Sequence, residues 1–542
     1  MGQFNPLQRY FILLLSSLAI VATCAQDRSE VGEFSEPVPF GIVPVAVANL
    51  PDGRLLTWSS QFRNTFMEIG DGMTFTEIYD PFMGPDGTAL GEFTSNTDHD
   101  MFCPGINNLA DGRILSAGGT TSERTSIYDP KTGVWSVAQD MNIPRGYQGN
   151  VTLSNGAVFT VGGSWSGGAG NNGGKDAEIW SPLTGWVELP NITGEDIYTS
   201  NDLFLEKQGE YRVDNHIWLW PASNGKLFHA GPSERMHWID TEAPGGEIVD
   251  AGPRGGDTYS MKGTTVMFDV DKILKVGGAE SYGADFSSNT PAKDNSYVID
   301  LNGTGYGEFP NVTFAGNLAF NRTMHNSTVL PDGTVLVTGG LDRGAVFTDQ
   351  GSRLEAELFD PTNNSWTTMA LMHEARTYHS VAILMTDGRV FVGGGGLCNN
   401  LLNGCENHFN AEIYSPPYLF NSDNSLAERP VITNINTGNA AGYYEEAVVD
   451  YGDVIEVTTD SDVTEFSLIR FSAATHSTNN EQRRIPLTGS GSRTHQLTIP
   501  NRNLLPPGYY MLFALDANGV PSVAKTIKIG SALPLDVPNT NL

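Results

Sequence analysis

Three side chains capable of metal or redox chemistry occupy the same position relative to three tight turns. Cys103, Tyr147 and His379 each lie eight residues before an Asp-Gly or Asn-Gly pair, and Tyr378 immediately precedes His379. Imidazole nitrogen combined with phenolate oxygen suits tetragonal Cu(II) better than zinc or calcium. The shared spacing therefore predicts a copper site. It needs one more ligand, for which His476 is the candidate.

Each of these residues also has an ordinary structural interpretation. A buried thiol, two packed aromatic rings and a core histidine bonded to backbone are common in proteins that carry no catalytic site there. His476 would then be a surface-loop histidine. The common register favours the functional interpretation, provided that the fold brings equivalent positions of its repeats together.

Such a fold is indicated by a repeat of two hydrophobic strands joined by an Asp-Gly or Asn-Gly turn, closed in five units by glycine pairs. These turns suit type I′ geometry, in which both central residues have positive φ. A period of about 50 residues is typical of kelch propellers, so we predict a seven-bladed β-propeller with equivalent positions around one axis. The turns are Asp52-Gly53, Asp111-Gly112, Asn155-Gly156, Asn224-Gly225, Asp332-Gly333, Asp387-Gly388 and the degenerate Asp271-Lys272.

After Pro417 the repeat stops and alternating strands follow. Their number and spacing predict one small antiparallel sandwich of immunoglobulin-like size. We therefore expect an all-β protein with a signal peptide (1–25), a catalytic seven-bladed kelch-type propeller (26–417), an immunoglobulin-like sandwich that donates a copper ligand (428–530) and a tail (531–542).

The first 25 residues have the pattern of a secretory signal: Arg9, a short apolar run and small residues before the cleavage site. A lipobox ending at Cys24 is the alternative, and Thr23 disfavours it. We expect a secreted, extracellular glycoprotein, because sequons favour the secretory route. The seven sequons begin at Asn150, Asn191, Asn302, Asn311, Asn321, Asn326 and Asn363.

The charge of the chain excludes two classes of partner. Its formal net charge is −31 and its pI is about 4.5. Without a cluster of Lys or Arg in the sequence, such a surface repels phosphate backbones and anionic lipid. We therefore expect neither nucleic-acid nor membrane binding. No pattern suggests a dimer seam, and a monomer is expected.

The cysteines differ in their expected roles. Cys398 and Cys405 lie seven residues apart in a Gly/Asn-rich loop, which predicts a local disulfide. With Cys24 removed, Cys103 is left over, and an odd thiol is unusual in an exported protein. It is either buried or joined to a different covalent partner.

Five motifs in order resemble the galactose oxidase family of copper radical oxidases. They are MFCPGI around Cys103, RGYQ around Tyr147, GGSWSGG around Trp165, RTYHS around Tyr378 and THSTNNEQRRIPL around His476. The resemblance extends from about Pro39 to Gly530, in the galactose oxidase/alcohol oxidase branch. We expect the N-terminal carbohydrate-binding domain of galactose oxidase to be absent from this chain, which is one departure from the family.

The resemblance implies a role for each residue of these motifs. Cys103 and Tyr147 would be joined by a thioether that carries a tyrosyl radical, and Trp165 would stack on that linkage. Tyr378 would also take the alcohol proton as general base. One copper ion would be bound by Tyr147, Tyr378, His379 and His476.

The resemblance also implies a substrate pocket. Its expected lining is Phe66, Arg212, Tyr282, Gly283 and Phe347, of which Arg212 can donate paired hydrogen bonds to adjacent hydroxyls. Gly283 is the second departure, because the family has Gln there. Loss of this amide should weaken discrimination against alcohols that are not sugars.

The expected activity is oxidation of primary alcohols, galactose-type sugars or aryl and aliphatic alcohols, to aldehydes, with reduction of O2 to H2O2. A peroxidase that consumes the H2O2 is a candidate partner. A glyoxal-oxidase-like aldehyde oxidase is one alternative, which the GGSWSGG motif disfavours. A non-catalytic kelch propeller that binds carbohydrate or protein is the other, and it gives no reason for the copper residues to occur together. A sialidase-like propeller is set aside because its Ser-x-Asp-x-Gly boxes do not occur.

Overall fold

Short strands and tight turns dominate the protein. The computed structural model describes residues 27–66, 72–163, 175–197, 216–282, 289–398 and 406–533. In these ranges the helices are α1 (Arg28–Val31), α2 (Gly194–Ile197) and a 3-10 helix (Pro417–Leu419), and none has the length and hydropathy needed to cross a bilayer.

Seven antiparallel sheets form the blades of a kelch-type β-propeller. Strands β1 (Glu33–Phe34) and β2 (Val38–Pro39) precede them. The first three blades are β3 (Ala46–Asn49), β4 (Leu55–Trp58), β5 (Phe75–Asp80), β6 (Thr88–Thr94); β7 (Gly105–Asn108), β8 (Ile114–Ala117), β9 (Thr125–Asp129), β10 (Val134–Val137); and β11 (Gly149–Thr152), β12 (Val158–Val161), β13 (Ala177–Ser181), β14 (Gly185–Leu189).

The other four blades complete the ring. They are β15 (Trp218–Pro221), β16 (Leu227–Gly231), β17 (Arg235–Asp240), β18 (Glu247–Pro253); β19 (Thr264–Asp269), β20 (Lys272–Val276), β21 (Asn295–Asp300), β22 (Asn311–Asn317); β23 (Thr323–Val329), β24 (Val335–Leu341), β25 (Glu355–Asp360), β26 (Ser365–Leu371); and β27 (Ser380–Leu384), β28 (Val390–Gly394), β29 (Asn410–Ser415).

The first strand of each blade lies innermost and is buried. Neighbouring inner strands contact one another around the axis from the second blade to the seventh and on to the first, and a strand of the second domain contacts both β3 and β7. The ring is closed by the N-terminal segment, because β1 and β2 pair with β29 of the last blade. The predicted seven-bladed propeller is confirmed.

The second domain is an immunoglobulin-like sandwich, also as predicted. The strands after the propeller are β30 (Ile432–Asn436), β31 (Ala447–Val449), β32 (Val454–Thr459), β33 (Glu465–Arg470), β34 (Ala473–Thr475), β35 (Arg484–Leu487), β36 (Thr494–Thr498), β37 (Gly508–Leu515) and β38 (Lys525–Ile529). The two sheets of the sandwich have the strand orders β30-β32-β36 and β31-β38-β37-β33-β35, and they enclose one apolar core. The pairs are antiparallel except β31 with β38, which is parallel.

The predicted type I′ geometry of the repeat turns is wrong. Gly53 has a φ of 87°, but Asp52 does not share the positive φ. Gly53 N–H donates to Leu50 O, and Arg54 N–H donates to the Asp52 carboxylate. This is a three-residue loop in which only glycine adopts the left-handed conformation. Asp or Asn is favoured at the preceding position because its side chain bonds the backbone two residues on.

The glycine pairs allow neighbouring blades to pack closely. A Cβ on Gly118 would lie 2.2 Å from the carbonyl oxygen of Arg145, and one on Gly339 would lie 2.2 Å from that of Arg376. Both glycines have positive φ. Each of these arginines lies in the segment that leads into the inner strand of the next blade. A side chain at either glycine would therefore collide with that segment and displace it.

Candidate metal centre

The three residues in common register enter the inner strands with the same backbone conformation. Cys103, Tyr147 and His379 have φ of 63°, 60° and 70°. Positive φ is uncommon outside glycine and is stabilised here by the surrounding structure. For example, Tyr147 N–H donates to Cys103 O at 3.0 Å across the two neighbouring blades. The side chains consequently meet at one end of the channel, as predicted.

His476 reaches this end of the channel from the second domain. Strand β34 leaves the sandwich and pairs with β3 of the first blade, with Ala46 opposite Thr475. The loop that follows is buried among the inner strands. Asn480 Nδ2 donates to Asn150 O and Ile217 O at 3.0 and 2.9 Å, and Gln482 Nε2 donates to Ser327 O at 2.8 Å. The second domain therefore supplies the His476 side chain to a site that is otherwise formed by the propeller.

Two phenols and two imidazoles converge in this buried space. The hydroxyl oxygens of Tyr147 and Tyr378 are 2.5 Å apart. The ring centroid of His476 lies 4.7 Å from that of His379 and 5.0 Å from that of Tyr147. All four side chains are at most 7% exposed. Hence four potential donors surround one small volume that is shielded from water.

Hydrogen bonds assign the tautomers of both histidines. His379 Nδ1 donates to Gly396 O at 2.5 Å, which leaves its Nε2 as a bare, buried nitrogen without a hydrogen-bond partner in the described chain. His476 Nδ1 bonds Thr475 Oγ1, whose own proton goes to Val45 O. Nδ1 of His476 is therefore the protonated nitrogen. In both rings the Nε2 lone pair is available for a metal, and the Nδ1 bond holds the ring.

Burial keeps these imidazoles neutral. The pKa of His379 is lowered to about 3, chiefly by burial; the bond to Gly396 opposes this shift, and the charge of Lys262 makes a smaller contribution to it. The pKa of His476 is also well below its ordinary value, first because of burial and then because of the nearby His379. A neutral imidazole is the form that binds a metal.

The donor set fits copper. Two imidazole nitrogens and two phenol oxygens match the preference of Cu(II), and the bare His379 Nε2 is a buried polar atom that a metal would satisfy. Cys103 lies at the edge of this set. Its Sγ is 3.2 Å from His476 Nε2, and the donor atoms of Cys103, His379 and His476 lie within 4.8 Å of one another.

An aromatic wall flanks the donors. Phe66 stacks on Phe102 and Phe347 with centroid distances of 4.9 and 5.7 Å, and Phe347 meets Tyr378 edge-on at 5.4 Å. Tyr282 lies 6.4 Å from Tyr378. Three predicted pocket residues are thus beside the donors, and Phe102 of the MFCPGI motif is an addition that the sequence did not single out.

Four predicted residues lie outside the described parts of the chain: Trp165, Arg212, Gly283 and Cys405. Cys398, the predicted disulfide partner of Cys405, is buried, and its backbone N–H donates to Asn407 Oδ1 at 2.9 Å. The disulfide remains a prediction.

Two polar residues at the same end of the channel were missed. His216 lies 5.6 Å from both Tyr147 and His476 between ring centroids, and Lys262 lies over the Tyr147 ring. A signal was present: His216 lies eight residues before Asn224, in the same register as the predicted ligands. Lys262 lies nine residues before the degenerate turn at Asp271, not eight, so the repeat spacing did not indicate it.

Comparison with known proteins agrees with this architecture. The galactose oxidase-like early set domain family matches residues 429–529. A galactose oxidase of Gibberella zeae (strain PH-1) is 40% identical over 510 residues, which cover 92% of this chain and 70% of the relative. A plant relative, aldehyde oxidase GLOX of Vitis pseudoreticulata, is 27% identical over 79% of this chain and 82% of its own length.

A solved structure matches at the level of the whole fold. It is a fungal alcohol oxidase of the AA5 family in complex with copper, 37% identical, with a TM-score of 0.82 over 92% of this chain and 99% of that one. Fold and site together define a propeller oxidoreductase. The chain belongs to the galactose oxidase family.

Proposed function

We propose that the protein is a secreted copper radical oxidase that converts primary alcohols to aldehydes and reduces O2 to H2O2. The observation that carries this proposal is the meeting of the Tyr147 and Tyr378 hydroxyls, 2.5 Å apart, beside the bare nitrogen of His379. The family supports it as well, since relatives are named galactose oxidase and one solved alcohol oxidase holds copper.

Each donor has a defined part in the proposed reaction. Bound copper supplies a Lewis acid for the alcohol oxygen and one of the two oxidising equivalents that the reaction needs. The other is a radical on Tyr147, stabilised by a thioether to Cys103. The residues that would hold copper are Tyr147, Tyr378, His379 and His476.

Two hydrogens leave the alcohol. Tyr378 takes the hydroxyl proton as general base, for which its phenol pKa must be lowered by the metal charge. The Tyr147 oxygen takes a hydrogen atom from the carbon. The alcohol therefore gives up two protons and two electrons in all, and their transfer to O2 gives one aldehyde and one H2O2, so the reaction is balanced.

The aromatic wall favours substrates with a flat apolar surface. Phe66, Phe102 and Phe347 are stacked nearly parallel and lie against Tyr378 and His379. Both an aryl alcohol and the apolar face of a sugar can pack on such rings. We therefore propose primary alcohols as the substrate class, with galactose-type sugars and aryl or aliphatic alcohols as its members.

Aldehyde oxidation is the second candidate, because the plant aldehyde oxidase is a relative. Its 27% identity is well below the 40% of the galactose oxidase. Galactose, benzyl alcohol and methylglyoxal distinguish the two activities. Release of H2O2 with methylglyoxal alone would overturn the alcohol assignment.

The test uses copper-loaded full-length protein. We expect about one copper per chain, loss of two hydrogens where the Cys103 and Tyr147 peptides are joined, and H2O2 release with an alcohol. Tyr378→Phe should abolish turnover because it removes the base. The control is Tyr79→Phe, which changes a buried tyrosine of the first blade in an apolar cluster that contains none of the four donors, and it should retain turnover. Separate peptides together with absence of H2O2 would overturn the proposal.

Secretion is supported by the signal pattern and by the position of four sequons. Asn191, Asn302, Asn311 and Asn363 are exposed, whereas Asn150 and Asn326 are buried in inner strands. We expect glycans at the exposed asparagines and none at the buried ones. Mass analysis of glycopeptides of the protein from the culture medium checks which asparagines carry glycans. A protein found only inside cells would contradict secretion.

A further inference from the structure

A buried lysine lies against the aromatic rings of the metal centre. Lys262 is 1% exposed, and its Nζ lies 4.7 Å from the centroid of the Tyr147 ring. The same nitrogen is 5.8 Å from the centroids of Tyr282 and Tyr378. All three distances are within the range of about 6 Å at which a cation is attracted to a ring face.

The backbone fixes this placement. Lys262 has a φ of 53°, close to the values of Cys103 and Tyr147, and it lies two residues before β19. Its carbonyl oxygen accepts a hydrogen bond from Met324 N–H at 2.8 Å, from the next blade. A left-handed lysine held between two blades directs its side chain to the same end of the channel as the ligands.

The charge of Lys262 reaches the neighbouring groups. Burial is the main reason why the pKa of His216 falls to about 3, and the positive charge of Lys262 is the next. An ammonium in this dry space therefore influences the centre more strongly than it would in water.

We propose that Lys262 is a positioning residue that raises the reduction potential of the Tyr147 radical; this rests on the proposed function. A cation is attracted to the electron-rich face of the reduced tyrosine ring. Loss of one electron from that ring weakens the attraction, so the ammonium favours the reduced state. The radical is then a stronger oxidant toward the alcohol. The couple concerned is the Tyr147 radical and reduced Tyr147, which differ by one electron, and that electron comes from the alcohol.

A redox titration tests the inference. Copper-loaded wild type, Lys262→Met and Lys262→Arg are equilibrated with one-electron mediators of known potential. The radical is followed by its optical absorption and by the loss of the Cu(II) electron paramagnetic resonance signal, because the spin of a radical on a copper ligand couples to that of the metal. We expect Lys262→Met to lower the reduction potential of the Tyr147 couple by about 59 mV, which for a one-electron couple is a roughly tenfold change in the equilibrium constant in favour of the radical. Lys262→Arg should remain near wild type because it keeps the charge.

The matched control is Met324→Leu, which changes an uncharged residue with the same backbone conformation on the next blade. Its potential should equal that of wild type. The inference is overturned if Lys262→Met leaves the potential unchanged, or if the Met, Arg and Leu variants shift it equally. A wild type with bound copper but without the radical signal would instead overturn the proposed function, and with it this inference.

Discussion

Two groups of blades differ in chemistry although they share one backbone design. We call the residue with positive φ at or just before the start of the inner strand the entry residue. It is Cys103, Tyr147 or His379 in the second, third and seventh blades, and Lys262 or Met324 in the fifth and sixth. Met324 has a φ of 60°, the same as Tyr147. The propeller therefore provides the same entry conformation in blades with and without candidate ligands. The type of side chain, and not the backbone, therefore distinguishes the blades that contribute to the candidate metal centre.

Buried ion pairs make the same point. Arg376 bonds Gly394 O at 3.0 Å and Glu412 at 3.0 Å at the entry to the ligand-bearing seventh blade. Arg322 makes equivalent bonds to Gly339 O and Glu357 at 2.9 and 2.5 Å in the sixth blade. Since the network occurs in both groups, it belongs to the fold. The same arginine network thus occurs in blades with and without candidate ligands.

The largest effect on copper binding is expected from a change of His476, the proposed ligand that comes from the second domain. His476→Gln should reduce copper affinity by more than the roughly 10–100-fold loss typical of outer-shell changes, and turnover should disappear. Copper titration of the metal-free protein measures this. The control is His495→Gln, which changes a histidine buried in the sandwich against Phe466 and should leave copper affinity unchanged. Equal losses in both variants would mean that the second domain acts only through stability.

The next effect separates metal binding from radical formation. Cys103→Ser should keep copper, because its sulfur is not among the four proposed ligands, but turnover should fall to a small fraction of wild type. Metal analysis and H2O2 release are measured on the same sample. Full activity of this variant would contradict the assignment of the radical to a Cys103–Tyr147 thioether.

The ion pairs test whether the two groups of blades are equivalent. Arg376→Met and Arg322→Met should each lower the free energy of unfolding by about 3–5 kcal/mol, because each leaves a buried glutamate without its partner. Chemical denaturation measures this loss. Only Arg376→Met should also weaken copper binding, since Arg376 precedes Tyr378 and His379. Equal copper affinities in the two variants would show that this ion pair does not position the ligands.

The smallest effect is expected at the entry residue without proposed chemistry. Met324→Leu conserves volume and should change the free energy of unfolding by less than about 1.5 kcal/mol. Copper content and turnover should stay at the wild-type level. A marked loss of turnover would place the sixth blade in the reactive sector and remove the distinction between the groups.

Much of the fold could be predicted because its signals are local. Asp52-Gly53 and its counterparts mark the hairpins, and the glycine pairs mark the close approach of successive blades. The turn type was predicted wrongly because the dipeptide alone does not distinguish a two-residue loop from a three-residue loop. The hydrogen bond from Gly53 N–H to Leu50 O decides between them, and it depends on the register of both strands.

The site was predictable where ligands share the spacing of the repeat. His476 required a different source, the resemblance of its motif, because the three-residue strand β34 has no sequence feature that assigns it to the first blade. Lys262 escaped because its hairpin contains a bulge at Met267 and Asp269, which shifts the spacing by one residue. Phe102 escaped because one phenylalanine before a cysteine resembles any core residue.

The insertion of His476 into the propeller also has a consequence for the order of events during synthesis. Domains fold as units, the N-terminal one first, as the chain emerges. The propeller can therefore close, with β1 paired to β29, before residue 476 has been made. Until the sandwich docks, the channel holds three of the four proposed donors. A nascent chain that ends before residue 476 therefore lacks one of the four proposed copper ligands, so the proposed centre is complete only after the second domain has been made.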